Sequence, residues 1–283
     1  MNSVLACIDG SMMAADVCDA AAWVATRLHT PLTFLHVLDR ADFHNERDLS
    51  GSLGFDSREH LLEELVTLDE RRSKLALEHG KLLLADAQRR VISLGIDQVS
   101  ILQRHGRLLD TLIDQQETTR LLVMGRQGEG HDSAAQAIGS QLENVVRTVN
   151  LPILIAVEHF TPPASFMLAF DGSPAGEKVV QAVATSPLLR DLPCHLVTVV
   201  REGESSEQSV NKMTHELIRA GYDVTNAVLT GDINSALQRY QMENAIDLIV
   251  MGAYGHSRIR QFFVGSNTTR MITYSDISLL LLR

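Results

Sequence analysis

The chain has 283 residues, room for about two domains with their own cores, and is 45% hydrophobic and 21% charged, which excludes a disordered or fibrous chain. With 25 basic against 35 acidic side chains the formal net charge is −10. No broad basic surface is therefore on offer, so neither nucleic acid nor an anionic membrane is expected as a partner.

The first residues, Ser3-Val4-Leu5-Ala6-Cys7-Ile8-Asp9, lack a basic leader and meet an acid after a few apolar side chains, which reads as a buried strand and not as a signal peptide. From there short apolar runs bounded by Gly, Asp or Pro alternate with stretches of helical period, the pattern of βαβ units. Strands are predicted at residues 4–8, 32–37, 98–103, 121–124 and 153–157, and again at 166–170, 195–200, 224–229, 248–251 and 279–282. Helices are predicted at 14–28, 63–94, 108–116 and 141–148, then at 174–185, 208–220, 233–243 and 267–273. Pro174 directly after Ser173 marks an N-cap and a first turn. The fold class is α/β, with two tandem five-stranded parallel sheets, open and twisted, each flanked by helices in the Rossmann-like manner. Pro162-Pro163 interrupts the pattern, so the first domain is placed at 1–160 and the second at 164–283. No apolar run reaches the roughly 18 residues of a spanning helix. Cys7, Cys18 and Cys194 form no C-x-x-C pair, which suits a reducing cytoplasm.

The two halves repeat. Val4 to Ser11 recurs as Phe166 to Ser173 with its Asp-Gly-Ser intact, and Asp9 pairs with Asp171 at an offset of 162. Leu121-Leu122-Val123-Met124-Gly125 recurs as Leu248-Ile249-Val250-Met251-Gly252, Gly95 as Gly221, Gly106 as Gly231, and Gly139-Ser140 as Gly265-Ser266. The offset falls to 126 between Gly95 and Gly221, so the first copy carries 36 extra residues, an insertion placed at about 39–75.

After the fourth strand of the second copy come Gly252-Ala253-Tyr254-Gly255, nine residues, and Gly265-Ser266 at a helix start. Glycines at a strand exit let backbone approach a ligand, and a Gly-Ser at a helix N-terminus offers free N–H groups, a hydroxyl and a favourable dipole to an anion. His256, Arg258 and Arg260 add local positive charge. Taken alone, such glycines equally serve turn geometry. The segment is not a P-loop, because no G-x-x-x-x-G-K-[ST] is present, and not the dinucleotide fingerprint, which follows a first strand.

This G-x2-G-x9-G-S pattern, together with the Asp after the first strand, resembles the universal stress proteins, whose fold is of the adenine-nucleotide α-hydrolase-like type, and the likeness to a tandem member spans nearly the whole chain outside the insertion. The resemblance implies an ATP-binding regulatory protein of the stress response. It implies Asp171 at the base and ribose, the Val199 backbone at the adenine, and Gly252, Gly255, Gly265 and Ser266 at the ribose and phosphates, with His256 and Arg258 nearby and Mg2+ arriving with the ATP. It further implies that the last strands of the two halves pair with each other inside the chain, with a homodimer formed through further sheet-edge pairing.

The first copy departs from the pattern. Asp9, Val37, Gly125, Gly128, Gly139 and Ser140 hold the matching positions, but ten residues separate Gly128 from Gly139, and Glu129 and Asp132 stand where the second copy has His256 and Arg258 or their neighbours. Carboxylates facing phosphates in a crevice cost on the order of 1 kcal/mol each, so this is the weaker candidate site. Ser140 with Glu143 also reads as a capping box, and Asp9 and Asp171 as turn acceptors.

The eleven histidines form no metal-type spacing, and no metal ligand is assigned. His36 reads as packing beside the crevice and Cys7 as a small hydrophobe. Residues 59–72, with leucines at 61, 62, 65 and 68, read as an amphipathic helix covering the sheet edge, and 42–58 as a mobile loop. No catalytic residue is named, because no Lys, carboxylate pair or placed base is found to recruit a water; slow ATP hydrolysis is the most that is expected. The alternatives are a nucleotide-free interaction and dimerisation module, or an enzyme acting on an ATP-activated substrate.

Overall fold

The structure, a computed structural model, describes residues 2–38, 55–127, 140–200, 207–252, 271–272 and 275–283, with the side chains of 55–63 and 140 excepted. The first half runs β1 Ser3–Cys7, α1 Ala14–Leu28, β2 Leu32–Leu38, α2 Phe55–Ser93, β3 Val99–His105, α3 Leu108–Gln115, β4 Thr119–Gly125, α4 Ser140–Thr148 and β5 Ile153–Ala156. The second runs β6 Phe166–Ala169, α5 Pro174–Thr185, β7 Cys194–Val200, α6 Glu207–Arg219, β8 Val224–Thr230, α7 Ile233–Glu243, β9 Leu248–Gly252 and β10 Ser278–Leu282. The ten expected strands are all present: the inner ones are short apolar runs closed by turn residues, and the edge strands β3 and β8 mix apolar with polar, partly exposed positions.

The expected pair of sheets is one sheet. Its order is β3-β2-β1-β4-β5-β10-β9-β6-β7-β8. Every neighbouring pair is parallel except β5 with β10, where Ile153, Leu154 and Ile155 run antiparallel to Leu281, Leu280 and Leu279. The order reads the same from either end, as two copies related by a pseudo-twofold axis at that seam require.

Alternating side chains send two apolar clusters to the two faces. Val4, Ala6, Leu154, Phe166, Leu168 and Leu280 lie with α1, α2, α5 and α6, while Leu5, Leu122, Ile153, Met167, Ile249 and Leu281 lie with α3, α4 and α7. Each cluster contains residues from both halves, so neither half has a core of its own. Arginines staple the halves as well. Arg27 Nε donates to the Leu188 carbonyl at 3.0 Å, the Arg126 guanidinium to the Ser275 carbonyl, and the Arg283 guanidinium to the Val146 carbonyl.

The repeat extends to turns. Gly95 and Gly221 end α2 and α6 with φ of 90° and 93°, and Gly106 and Gly231 follow β3 and β8 with φ of 120° and 109°. These left-handed positions favour glycine. The insertion differs from its expected form in one respect: α2 begins at Phe55, so 55–58 are helix and not loop, while 39–54 lie outside the described residues. With 39 residues against the 13 of α6, α2 accounts for 26 of the 36 inserted residues. Residues 64–75 are exposed at every position, so this stretch does not cover the sheet edge; Leu84, Ala87 and Val91 further along do the packing.

Trp23, the chain's single tryptophan, sits in α1 against Phe160. Because the clusters cross the seam, Leu196→Ala in β7, a residue fully buried in the second half, is expected to cost about 2–5 kcal/mol and to lower the urea midpoint reported by Trp23 fluorescence. An unmoved Trp23 transition would mean that the halves unfold independently.

Candidate functional site

In an open α/β sheet, strands on either side of the first strand are connected in opposite directions, and the crevice opens at their carboxyl ends. In the second half that point lies between β6 and β9, with β7 on the far side of β6. A crevice is found there. Its lining comes from the end of β6 (Ala169 to Asp171), from Val197 and Val199 of β7, from Ile233, Asn234 and Leu237 of α7, from Met251 of β9, and from Met271. The enclosed part measures about 50 Å³, far below the roughly 300–1,000 Å³ of ligand clefts. The thioethers of Met251 and Met271 are the flexible members of this wall.

Asp171 is held by its turn. Its Oδ1 accepts from the Ser173 backbone N at 3.1 Å and from Ser173 Oγ at 2.7 Å, and Ser173 Oγ in turn accepts from Gly176 N at 3.0 Å as the N-cap of α5. Ser173, and not the carboxylate, caps the helix. Gly172 takes φ 75°, and a Cβ at Gly176 would stand 2.5 Å from Asp171 Oδ1 and 3.0 Å from the Phe170 ring, so a glycine there is what lets α5 start against the carboxylate. The first copy repeats only part of this. Asp9 Oδ1 accepts from Ser11 N at 3.0 Å, but Gly10 does not adopt a positive φ, and α1 starts after Met13 without a side-chain cap.

Of the residues expected to form the site, Asp171 and Val199 line the one crevice, and Gly252 ends β9 beside it. Gly255, His256, Arg258, Arg260, Gly265 and Ser266 lie outside the described residues. In the first half Asp9 follows β1, Val37 packs on the core near the end of β2, and Gly125 ends β4; Ser140 opens α4, and Gly128 and Gly139 lie outside the described residues. The strand-exit glycines have a packing reason of their own: a Cβ at Gly252 would come 3.1 Å from Val179 Cγ2, and one at Gly125 3.0 Å from Met13 Cβ.

The residues at the matching strand-end positions of the two halves diverge. In the first half Cys7, Leu35 and Leu109 stand where the second has Ala169, Val197 and Asn234, so two positions carry more bulk and the third is apolar. His36 faces the other side of the sheet, buried with Nδ1 2.9 Å from the Ile8 carbonyl, to which it must donate; it packs under α2, where a Cβ at Gly80 would meet its ring at 2.5 Å. The residue that sequence reasoning passed over is Asn234. Setting the two copies side by side marks it, as a polar residue where the fold elsewhere places leucine.

With the geometry in place, likeness to known proteins can be stated. The model of the universal stress protein family matches residues 1–156 and 165–283. The chain belongs to the universal stress protein family. A universal stress protein of Synechocystis, Slr1230, is 36% identical over the full length of both chains. Among solved structures, a universal stress protein from Archaeoglobus fulgidus covers 100% of this chain with 98% of its own at 16% identity and a TM-score of 0.73. A functionally unknown protein from Pseudomonas aeruginosa, PA1789, aligns over 100% of this chain and 92% of its own at 14% identity and a TM-score of 0.60. These structures share the fold. Among the described residues no cluster of three His, Cys, Asp or Glu could hold a metal, and no helix is long and apolar enough to cross a membrane.

Burial pushes the thiols of Cys7, Cys18 and Cys194 up from 9.0 to about 12, Asp9 adding to the rise at Cys7. Burial likewise pushes the Tyr222 hydroxyl up from 10.0 to about 12, where it donates to the Val183 carbonyl at 3.0 Å. All four groups have folded values above their unfolded ones, so the stability they contribute is complete below about pH 9 and is lost as pH climbs through about 12. Urea midpoints are expected to fall across that window, and a thiol reagent at pH 8 is expected to label the native protein slowly and all three cysteines rapidly in urea. Fast labelling of the native protein would contradict the buried placement.

Proposed function

We propose that this universal stress protein is a cytoplasmic, ATP-binding regulatory protein whose nucleotide sits in the second copy. The observation that carries the reading is the crevice at the carboxyl ends of β6, β7 and β9. Its described lining is an apolar slot of Val197, Val199, Leu237, Met251 and Met271 with one carboxylate, Asp171, after β6. An apolar slot suits the faces of a base, and a carboxylate suits ribose hydroxyls. Gly252, Gly255, Gly265 and Ser266 would then hold the phosphates, with His256 and Arg258 supplying charge that the −10 of the whole chain does not. Mg2+ would come with the phosphates, since it needs few protein ligands. The bulkier Cys7 and Leu35 of the first copy support ranking that site, with Asp9, Val37, Gly125, Gly128, Gly139 and Ser140, as the weaker one.

The reading is of binding and not of efficient turnover. Among the described residues the crevice wall holds one carboxylate, already accepting two hydrogen bonds through Oδ1, and no second general base. Among the described strands a homodimer formed by sheet edges has β3 and β8 to use, because β5 and β10 pair with each other.

Calorimetric titration of ATP tests this. Asp171→Ala is expected to weaken binding about tenfold or more, as loss of a hydrogen bond to a charged group does. Gly255→Glu is expected to abolish it, and Asp9→Ala to leave it unchanged. Undiminished binding in both second-copy variants would sink the assignment, and no binding by the wild type would favour the nucleotide-free interaction module.

A further inference from the structure

We propose that Asn234 is the residue that reads the base in the second-copy crevice, its amide pairing with the 6-amino group and N7 of adenine. The inference rests on the nucleotide reading above and goes on to what selects the nucleotide. Asn234 is the second residue of α7 and lines the crevice together with Asp171 and Val199. Both Oδ1 and Nδ2 are buried, and neither has a hydrogen-bond partner. Buried side-chain polar atoms without partners are rare in folded proteins, and an amide with both ends unpaired asks for a ligand that supplies a donor and an acceptor side by side.

The fold has no use for this amide. Capping of α7 is done by Asp232, whose Oδ1 accepts from Ser235 N at 3.0 Å and from Ser235 Oγ at 2.8 Å. In the first copy the second residue of α3, the structural counterpart, is Leu109, which packs against the core. A leucine therefore satisfies the frame, and the asparagine is an addition specific to the second crevice. Among the described residues the rest of the lining is apolar apart from Asp171, so of these the amide alone can donate to and accept from a base at once.

Asparagine and adenine are matched in this respect: the amide oxygen accepts from the 6-amino group while the amide nitrogen donates to N7. Guanine offers two acceptors along the same edge, O6 and N7, and leaves the amide oxygen unpaired. Selection of adenine over guanine follows from the side chain.

Titrations of ATP and GTP into the full chain, wild type and Asn234→Leu, read this out. The wild type is expected to bind ATP at least tenfold more tightly than GTP. Asn234→Leu, the residue the first copy already tolerates, is expected to lose tenfold or more in ATP affinity with GTP little changed, so that the preference collapses, and its urea midpoint is expected not to fall. Asn234→Ala repeats the test without added bulk. ATP affinity and the ATP to GTP ratio both unchanged in the two variants would overturn the role of Asn234 while leaving the nucleotide site standing. Absence of binding of either nucleotide to the wild type would overturn the site itself and the inference with it.

Discussion

Three rungs of antiparallel pairing, Leu279, Leu280 and Leu281 against Ile155, Leu154 and Ile153, decide the rest of the architecture. β5 and β10 are buried along their whole lengths, and a strand apolar on both faces cannot be left at a sheet edge without inviting association. Each closes the other's edge. Once they pair, both apolar layers become continuous across the chain, and the Arg27, Arg126 and Arg283 contacts add directional hydrogen bonds on top of a packing that has no direction of its own.

The sign of that pairing also fixes where the crevices lie. All first-half strands run with β5 and all second-half strands with β10, so the carboxyl ends of the two half-sheets point to opposite ends of the molecule. The two crevices cannot merge into a shared site, and each must be complete from its own half. That independence permits divergence. The seam needs backbone pairing and apolar faces, which both copies retain, whereas positions at the strand ends are released from any common demand. Cys7 and Ala169, Leu35 and Val197, Leu109 and Asn234 differ there while the turns at Gly95 and Gly221 and at Gly106 and Gly231 keep matching φ.

What the sequence made legible follows the same division. Strands and helices are legible because burial on two faces imposes apolar runs on the inner strands, whereas the pairing of the last strands follows from the family resemblance and not from the residues alone. The merging of the two sheets into one is a consequence of that pairing and adds nothing the residues of β5 and β10 do not require. The second half of the site was less legible. Gly252 was read toward a ligand, and its contact distance to Val179 is a matter of helix packing that no spacing reveals. Ser173 is legible as a cap from Pro174 beside it, whereas its hydroxyl bond to Asp171, in a turn where Gly172 takes φ 75°, carries no sequence signal of its own. Asn234 carries no motif at all, since one polar residue in the first turn of a helix is ordinary, and only burial of its amide sets it apart.

The inserted residues show how an addition of this size leaves the frame intact. A helix of 39 residues is about 58 Å long, at 1.5 Å per residue, while a seven-residue strand such as β2 spans about 23 Å, so more than half of α2 overhangs the sheet. The fully exposed stretch from 64 to 75 is that overhang, and the helix lands at Gly80, where the absence of a side chain admits the ring of His36 and the amide of Gln103. Beyond that point Leu84, Ala87 and Val91 occupy the face that Val210, Met213 and Leu217 of α6 occupy in the other half. The insertion therefore extends the helix outward from a landing point the core already required, and the sheet beneath it needs no adjustment.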